Sequence, residues 1–83
     1  MTNLTDLPNV GPVLAKNLQA AGINTPEKLR ELGAKEAFLR IRMIDPEACL
    51  HMLYGVEGAI QGVQDKFLSP EAKQDLKEFF RAL

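Results

Sequence analysis

The stretch Leu4 to Ile23, LTDLPNVGPVLAKNLQAAGI, decides the fold of this 83-residue chain. Its apolar residues recur at helical intervals, at Val10, Leu14, Leu18 and Ala21. This spacing places them on one face of a helix. Pro12 suits the first helical position, where a missing N–H needs no partner, and Gly22 suits the left-handed cap that ends the helix. The sequence therefore predicts a helix-hairpin-helix-like motif, although Asn9 stands where the commonest hairpins carry glycine.

This motif offers an anion-binding position at the start of its second helix. Gly11 lets the backbone approach a ligand without a Cβ in the way. The free amides of Val13 and Leu14 lie at the positive end of the helix dipole, and Lys16 follows further along the helix. We therefore expect these four residues to contact a nucleic-acid phosphate. The alternative is a sharp corner between two helices, in which Val10 simply fills the core.

Length and composition favour one small domain that spans residues 1–83. Hydrophobic residues make up 46% of the chain and charged residues 25%, which is enough for one modest core. The formal net charge of −1 argues against a dedicated nucleic-acid binder, which would usually be basic. The N-terminus does not resemble a signal peptide, and no apolar run is long enough to span a bilayer. We therefore expect a cytoplasmic protein that does not contact membranes.

The rest of the chain predicts further helices and no strand. Thr25, Asp45 and Ser69 each precede a proline, and this pair is typical of a capped helix start. No segment shows the period of two that a half-buried strand requires. The predicted helices are Pro26 to Leu32 (closed by Gly33), about Lys35 to Met43, Pro46 to Val63 and Pro70 to Leu83. The predicted fold class is therefore all-α, a small single domain of about five or six helices.

The segment Pro46 to Val63 is predicted to be the longest and most apolar helix, and therefore the central one. Its solvated stripe comprises Glu47, His51, Tyr54, Glu57, Gly58, Gln61 and Asp65. Each glycine inside a helix costs roughly 1 kcal/mol relative to alanine. We expect close packing of another helix, or of a second copy of the chain, to offset that cost. The small residues that would permit this packing are Gly55, Gly58, Ala59 and Gly62.

The sequence offers little chemistry for catalysis. His51 is the only histidine, and Glu47 one turn before it forms a surface ion pair more readily than a metal site. Cys49, the only cysteine, has no second histidine and no lysine or arginine nearby in sequence, and it is expected to be a buried, inert thiol. No dinucleotide-binding or Walker-type motif occurs. We therefore expect no enzymatic activity, no cofactor and no metal.

The basic residues concentrate in one part of the sequence. From position 34 to 43 three bases stand against one acid, whereas from position 44 onward four bases stand against seven acids. The acidic half should repel a duplex. We therefore expect Arg40 and Arg42 to assist the hairpin in any DNA contact. The alternative is that they belong to an ordinary solvated face.

Four blocks of this sequence carry a family resemblance. They are residues 7–12, 21–26, 32–40 and 53–62, and the last contains the most specific element, Glu-Gly-Ala-Ile-Gln-Gly. Together they resemble the C-terminal domain of the TfoX/Sxy family, whose members are bacterial regulators linked to natural-competence gene expression. The resemblance implies an all-α fold with a helix-hairpin-helix-like element and a non-enzymatic role. We expect a stand-alone copy of this domain.

Two functions from different classes are therefore open. The first is a regulatory adaptor resembling the TfoX C-terminal domain, with weak, nonspecific DNA contact through the hairpin. The second is a pure protein–protein interaction or dimerisation module with a structural hairpin, which needs no basic surface. Candidate partners are DNA, a protein of the transcription machinery and a second copy of the chain. We expect a homodimer, because a second chain would bury more apolar surface than one small core can.

Overall fold

The computed structural model describes residues 3–83, which form an all-α fold around one core. The four α-helices are α1 Pro12–Ala20, α2 Pro26–Ile44, α3 Leu50–Gln61 and α4 Pro70–Arg81. Two single-turn 3-10 helices, Leu4–Asp6 and Asp65–Phe67, precede α1 and α4, and residues 3–83 contain no strand. The predicted all-α class is confirmed, whereas the predicted count of five or six helices was slightly too high.

The hairpin motif also differs slightly from the prediction, because its first helix is only the 3-10 turn Leu4–Asp6. Pro8 disfavours the helical conformation of the residue before it, and Leu7 is accordingly extended, with φ −79° and ψ 148°. The end of α1 follows the prediction. Gly22 adopts φ +84°, and the N–H of Ile23 donates to the carbonyl of Leu18 at 2.8 Å.

Gly33 separates two helical arms of α2, as the sequence predicted. Its backbone angles, φ 83° and ψ 163°, are not helical and bend the element at this point. The two helices predicted for this region are thus the two arms of α2. Both arms enter the core, since Leu29 on one side and Phe38 and Ile41 on the other are fully buried.

The central helix begins at Leu50, four residues later than predicted. Asp45 stabilises a turn instead of capping a helix, because its Oδ1 accepts from the N–H of Glu47 and its carbonyl from the N–H of Ala48, both at 3.1 Å. At 12 residues α3 is only as long as α4, so the prediction that it is the longest helix was wrong. Its central position is confirmed, because both α2 and α4 pack against it.

The fourth helix closes the core by packing against both α3 and α2. Ser69 caps it as predicted, since its hydroxyl accepts from the N–H of Ala72 at 3.0 Å. Phe80 lies against the buried Phe38 of α2, with the ring centres 5.9 Å apart. Leu76 of α4 is buried in the same core. Within residues 3–83, no helix combines the length and the apolar character that crossing a membrane requires.

The break at Gly33 generates the first prediction. Gly33→Ala should lower the free energy of unfolding by about 1–3 kcal/mol, because this φ and ψ combination is essentially restricted to glycine. Urea denaturation followed by circular dichroism measures the change. Gly11→Ala is the control, since Gly11 has φ −89° and nothing within 4 Å of an added Cβ. Equal stability of the two variants would contradict the requirement for glycine at position 33.

Candidate functional site

The hairpin is fastened to α3 by the side chain of Asn9. Its Nδ2 donates to the carbonyl oxygens of Val63 at 3.0 Å and Gly55 at 3.3 Å. Its Oδ1 accepts from the backbone N–H of Asp65 at 3.1 Å. The backbone of Asn9 has φ +68°, a left-handed conformation that asparagine adopts more readily than most residues. One side chain therefore joins the hairpin to both the middle and the end of α3.

Two glycines of α3 make room for this amide. A Cβ added to Gly58 would lie 2.5 Å from Nδ2 of Asn9 and 2.7 Å from the carbonyl oxygen of Val63. A Cβ added to Gly55 would lie 3.5 Å from the Cβ of Asn9. The element that packs closely on these glycines is therefore the hairpin, and not the neighbouring helix that the sequence predicted. Gly58 is buried rather than part of a solvated stripe.

The other two small residues of the predicted packing set have different roles. Ala59 is fully buried in the core of the domain. Gly62 takes φ +79° and ends α3, with nothing within 4 Å of an added Cβ. Its place is therefore that of a left-handed helix cap.

An open groove of about 580 Å³ lies between the hairpin and α3. On one side it is lined by Gly11, Val13 and Leu14, and on the other by His51 and Met52 of α3. The structure thus brings together three of the four hairpin residues that the sequence predicted as a phosphate contact. The groove is formed by the starts of two helices, α1 and α3.

The start of α1 has the properties that anion binding requires. The first hydrogen bond of the helix runs from the N–H of Ala15 to the carbonyl of Gly11 at 3.0 Å, so the amides of Val13 and Leu14 precede it. No side chain caps this end of the helix. The side chain of Val13 is 72% exposed, whereas that of Leu14 is buried.

The predicted basic residues are not gathered around this groove. Lys16 is exposed further along α1. The Nε of Arg40 lies 3.3 Å from Oε2 of Glu36, and the guanidinium of Arg42 lies 5.4 Å from the centre of the Phe80 ring. Neither arginine lines the groove. The two arginines thus have partners within the chain and lie outside the groove.

Two polar residues at the start of α3 differ from their predicted settings. The Nε2 of His51 lies 3.4 Å from Oδ2 of Asp65, rather than pairing with Glu47, which precedes the helix. Cys49 is exposed and not buried, because it occupies the N-cap position of α3 at the groove. Among residues 3–83, no three metal-ligating side chains lie close enough to hold an ion.

Comparison with known proteins identifies similar sequences and structures. The family described as the TfoX C-terminal domain matches residues 1–80. Protein Sxy of Escherichia coli (strain K12) is 36% identical over 80 residues, which are 96% of this chain and 38% of Sxy. The chain therefore spans well under half the length of this relative.

Two crystal structures from Listeria monocytogenes also match, and each has 46% sequence identity with this chain. One, a triclinic form of an uncharacterized protein, gives a TM-score of 0.96 and covers 98% of this chain and 92% of its own. The other, a tetragonal form of a protein of unknown function, gives 0.94 and covers 96% and 98%. The fold described above is therefore shared with experimentally determined structures.

The contacts of Asn9 generate the second prediction. Asn9→Gly should lower the free energy of unfolding by about 1–3 kcal/mol through loss of the side-chain hydrogen bonds. Asn9→Asp should lower it further, because a carboxylate cannot donate and would face the carbonyl oxygens of Gly55 and Val63. Urea denaturation at neutral pH measures both variants.

The matched control for this prediction is Asn24→Asp, the same chemical change at an exposed position. Its effect should stay within about 0.5 kcal/mol, as is usual for surface substitutions. If Asn9→Asp were as stable as Asn24→Asp, the side chain of Asn9 would not hold the hairpin.

Proposed function

The chain belongs to the TfoX C-terminal domain family, and from this membership we propose that it is a non-enzymatic regulatory adaptor of bacterial gene expression. The role that the resemblance implies is linked to natural-competence genes, and it would be exercised in the cytoplasm. The support is the match along residues 1–80 together with the 36% identity to Sxy.

Within this role we propose that the hairpin contacts DNA phosphates weakly and without sequence preference. The observation that carries this proposal is the uncapped start of α1, where the amides of Val13 and Leu14 precede the first helical hydrogen bond. Nothing lies within 4 Å of an added Cβ at Gly11, so the backbone there is accessible. Lys16 adds an exposed cation on the same helix.

The number of available contacts sets the strength of this binding. A duplex binder with full affinity neutralises about six to ten phosphates, and nonspecific dissociation constants are about 10⁻⁴ to 10⁻⁶ M. One hairpin would reach about two or three phosphates, in a chain whose net charge is −1. The contact of one chain should therefore be weak. A homodimer, which we also propose, would bring two hairpins to one duplex and double the contacts.

A second function, a protein-interaction module, is favoured by the lining of the groove. Val13 is largely exposed there, Met52 lies opposite, and no lysine or arginine lines the groove. Val10 is buried, as a purely structural hairpin requires. In this alternative the groove receives an apolar side chain from a protein of the transcription machinery or from a second copy of the chain.

The third prediction separates these two functions. Fluorescence anisotropy on a random duplex at low salt should show weak binding, with a salt slope of about two to three. Gly11→Val should weaken it about tenfold, which corresponds to one charge-assisted hydrogen bond. The fold should be unaffected, because φ −89° and the open space at Gly11 accommodate valine.

Lys16→Gln should also weaken binding, and Arg30→Gln on α2 is its control, because it makes the same charge change at an exposed position outside the groove. Wild-type protein that fails to bind at about 100 µM, near the weak limit of nonspecific affinity, would refute the DNA contact. The interaction module would then be the better proposal.

A further inference from the structure

A second, shallower depression of about 220 Å³ adjoins the hairpin groove. The two hollows share His51 and Asp65 in their linings, and the second adds Tyr54, Lys66 and Lys73. These residues come from α3, from the 3-10 turn before α4 and from α4 itself. Three separate elements therefore bring two lysines, a histidine and a tyrosine to one concave surface, together with the carboxylate of Asp65.

The two lysines of this depression keep their charge available. Across residues 3–83, no carboxylate lies within 4.0 Å of the ammonium of Lys66 or Lys73, and the carboxylate of Asp65 is 3.4 Å from His51. The Nζ of Lys66 lies 5.3 Å from the centre of the Phe67 ring, a contact that holds the side chain without neutralising it. By contrast, three of the basic residues of α2, Lys28, Lys35 and Arg40, form ion pairs.

We infer that this depression binds a phosphate of the DNA backbone, and that it forms one continuous surface with the hairpin. Lysine is a common phosphate ligand that acts as a point charge. The ring of Tyr54 packs against the core, and its hydroxyl and the ring N–H of His51 are further donors. The inference rests on the proposed DNA contact at the hairpin and adds a second phosphate site to it.

The fold explains how a site for an anion arises in the acidic half of the sequence. Among the seven acids after position 44, Asp75 pairs with Lys35 at 2.9 Å, and the carboxylate of Asp65 lies 3.4 Å from Nε2 of His51. Lys66 and Lys73 are seven residues apart in the sequence, yet they line the same depression. A charge count along the chain averages over such surfaces and therefore missed this one.

A phosphate backbone fits the whole surface better than an acidic protein segment does. Val13 and Leu14 line the groove, the two lysines line the depression, and His51 lines both. The groove and the depression thus both offer contacts to an anion. A nucleic-acid backbone carries a phosphate at every nucleotide and can therefore occupy both. An acidic peptide is the competing ligand that the experiment must distinguish.

The test compares two double variants with the same change in net charge. Lys66→Gln with Lys73→Gln alters the depression, and Arg30→Gln with Arg81→Gln alters exposed positions outside both hollows. Anisotropy on a random duplex across a salt series is the readout. The lysine pair should weaken binding at least about tenfold at low salt and reduce the salt slope by about one to two. The arginine pair should change the affinity less than about threefold.

The outcomes separate this inference from the function on which it rests. If the wild type binds and Gly11→Val weakens binding, but the two double variants behave alike, the second site is refuted and the hairpin contact is kept. If the wild type does not bind the duplex at all, both are refuted. The third outcome is that the duplex does not bind, whereas poly-glutamate binds the wild type and the lysine substitutions abolish that binding. This outcome would refute the phosphate site and identify an acidic protein segment as the ligand.

A second measurement places the contact on the surface. In an NMR titration with the same duplex, the amides of His51, Lys66 and Lys73 should shift together with those of Val13 and Leu14. Shifts confined to the hairpin would refute the second site independently of any variant.

Discussion

The amide of Asn9 holds the N-terminal hairpin against α3, and the geometry of the candidate site depends on it. Its two N–H groups and its oxygen satisfy backbone groups at Gly55, Val63 and Asp65. A neutral amide is suited to this place because it donates and accepts at once. Gly58 is the complementary requirement, since any Cβ there would overlap the amide and the carbonyl of Val63. The amide of Asn9 and the glycines of α3 therefore form one contact between the hairpin and α3.

This contact sets the positions of the groups that line the groove and the depression. It places the open start of α1 across a groove from His51, and it holds Asp65 where that carboxylate meets the imidazole. Lys66 follows directly in the chain, so the loop fastened by Asn9 also carries a cation of the second depression. Both halves of the proposed DNA-binding surface thus depend on the same three hydrogen bonds.

Local signals in the sequence predicted much of the fold, because their chemistry is complete within a few residues. Ser69 with its proline starts a helix, and Gly22 ends one. The same reasoning failed at Asp45, because an aspartate before proline also stabilises a tight turn, and only tertiary packing decides between them. At Gly33 the prediction of a break is confirmed, because this glycine takes a non-helical conformation between two helical arms.

The candidate site was only partly predictable, for a related reason. Gly11, Val13 and Leu14 are neighbours in sequence, so their shared position at a helix start could be predicted. The contacts of Asn9 span 46 to 56 residues, and no local pattern reports them. An asparagine where the commonest hairpins carry glycine and two glycines three residues apart in α3 were the available signals. Family membership was predicted from blocks of residues and is confirmed by the match over residues 1–80.

Amide hydrogen exchange at Asp65 tests the role of Asn9 most directly. The N–H of Asp65 lies in the segment after α3, and its acceptor is the side-chain oxygen of Asn9 at 3.1 Å. In the wild type this amide should exchange slowly, and in Asn9→Gly its protection should disappear while that of Val56, inside α3, persists. An Asp65 amide that exchanges in the wild type as fast as in an unfolded chain would contradict the account.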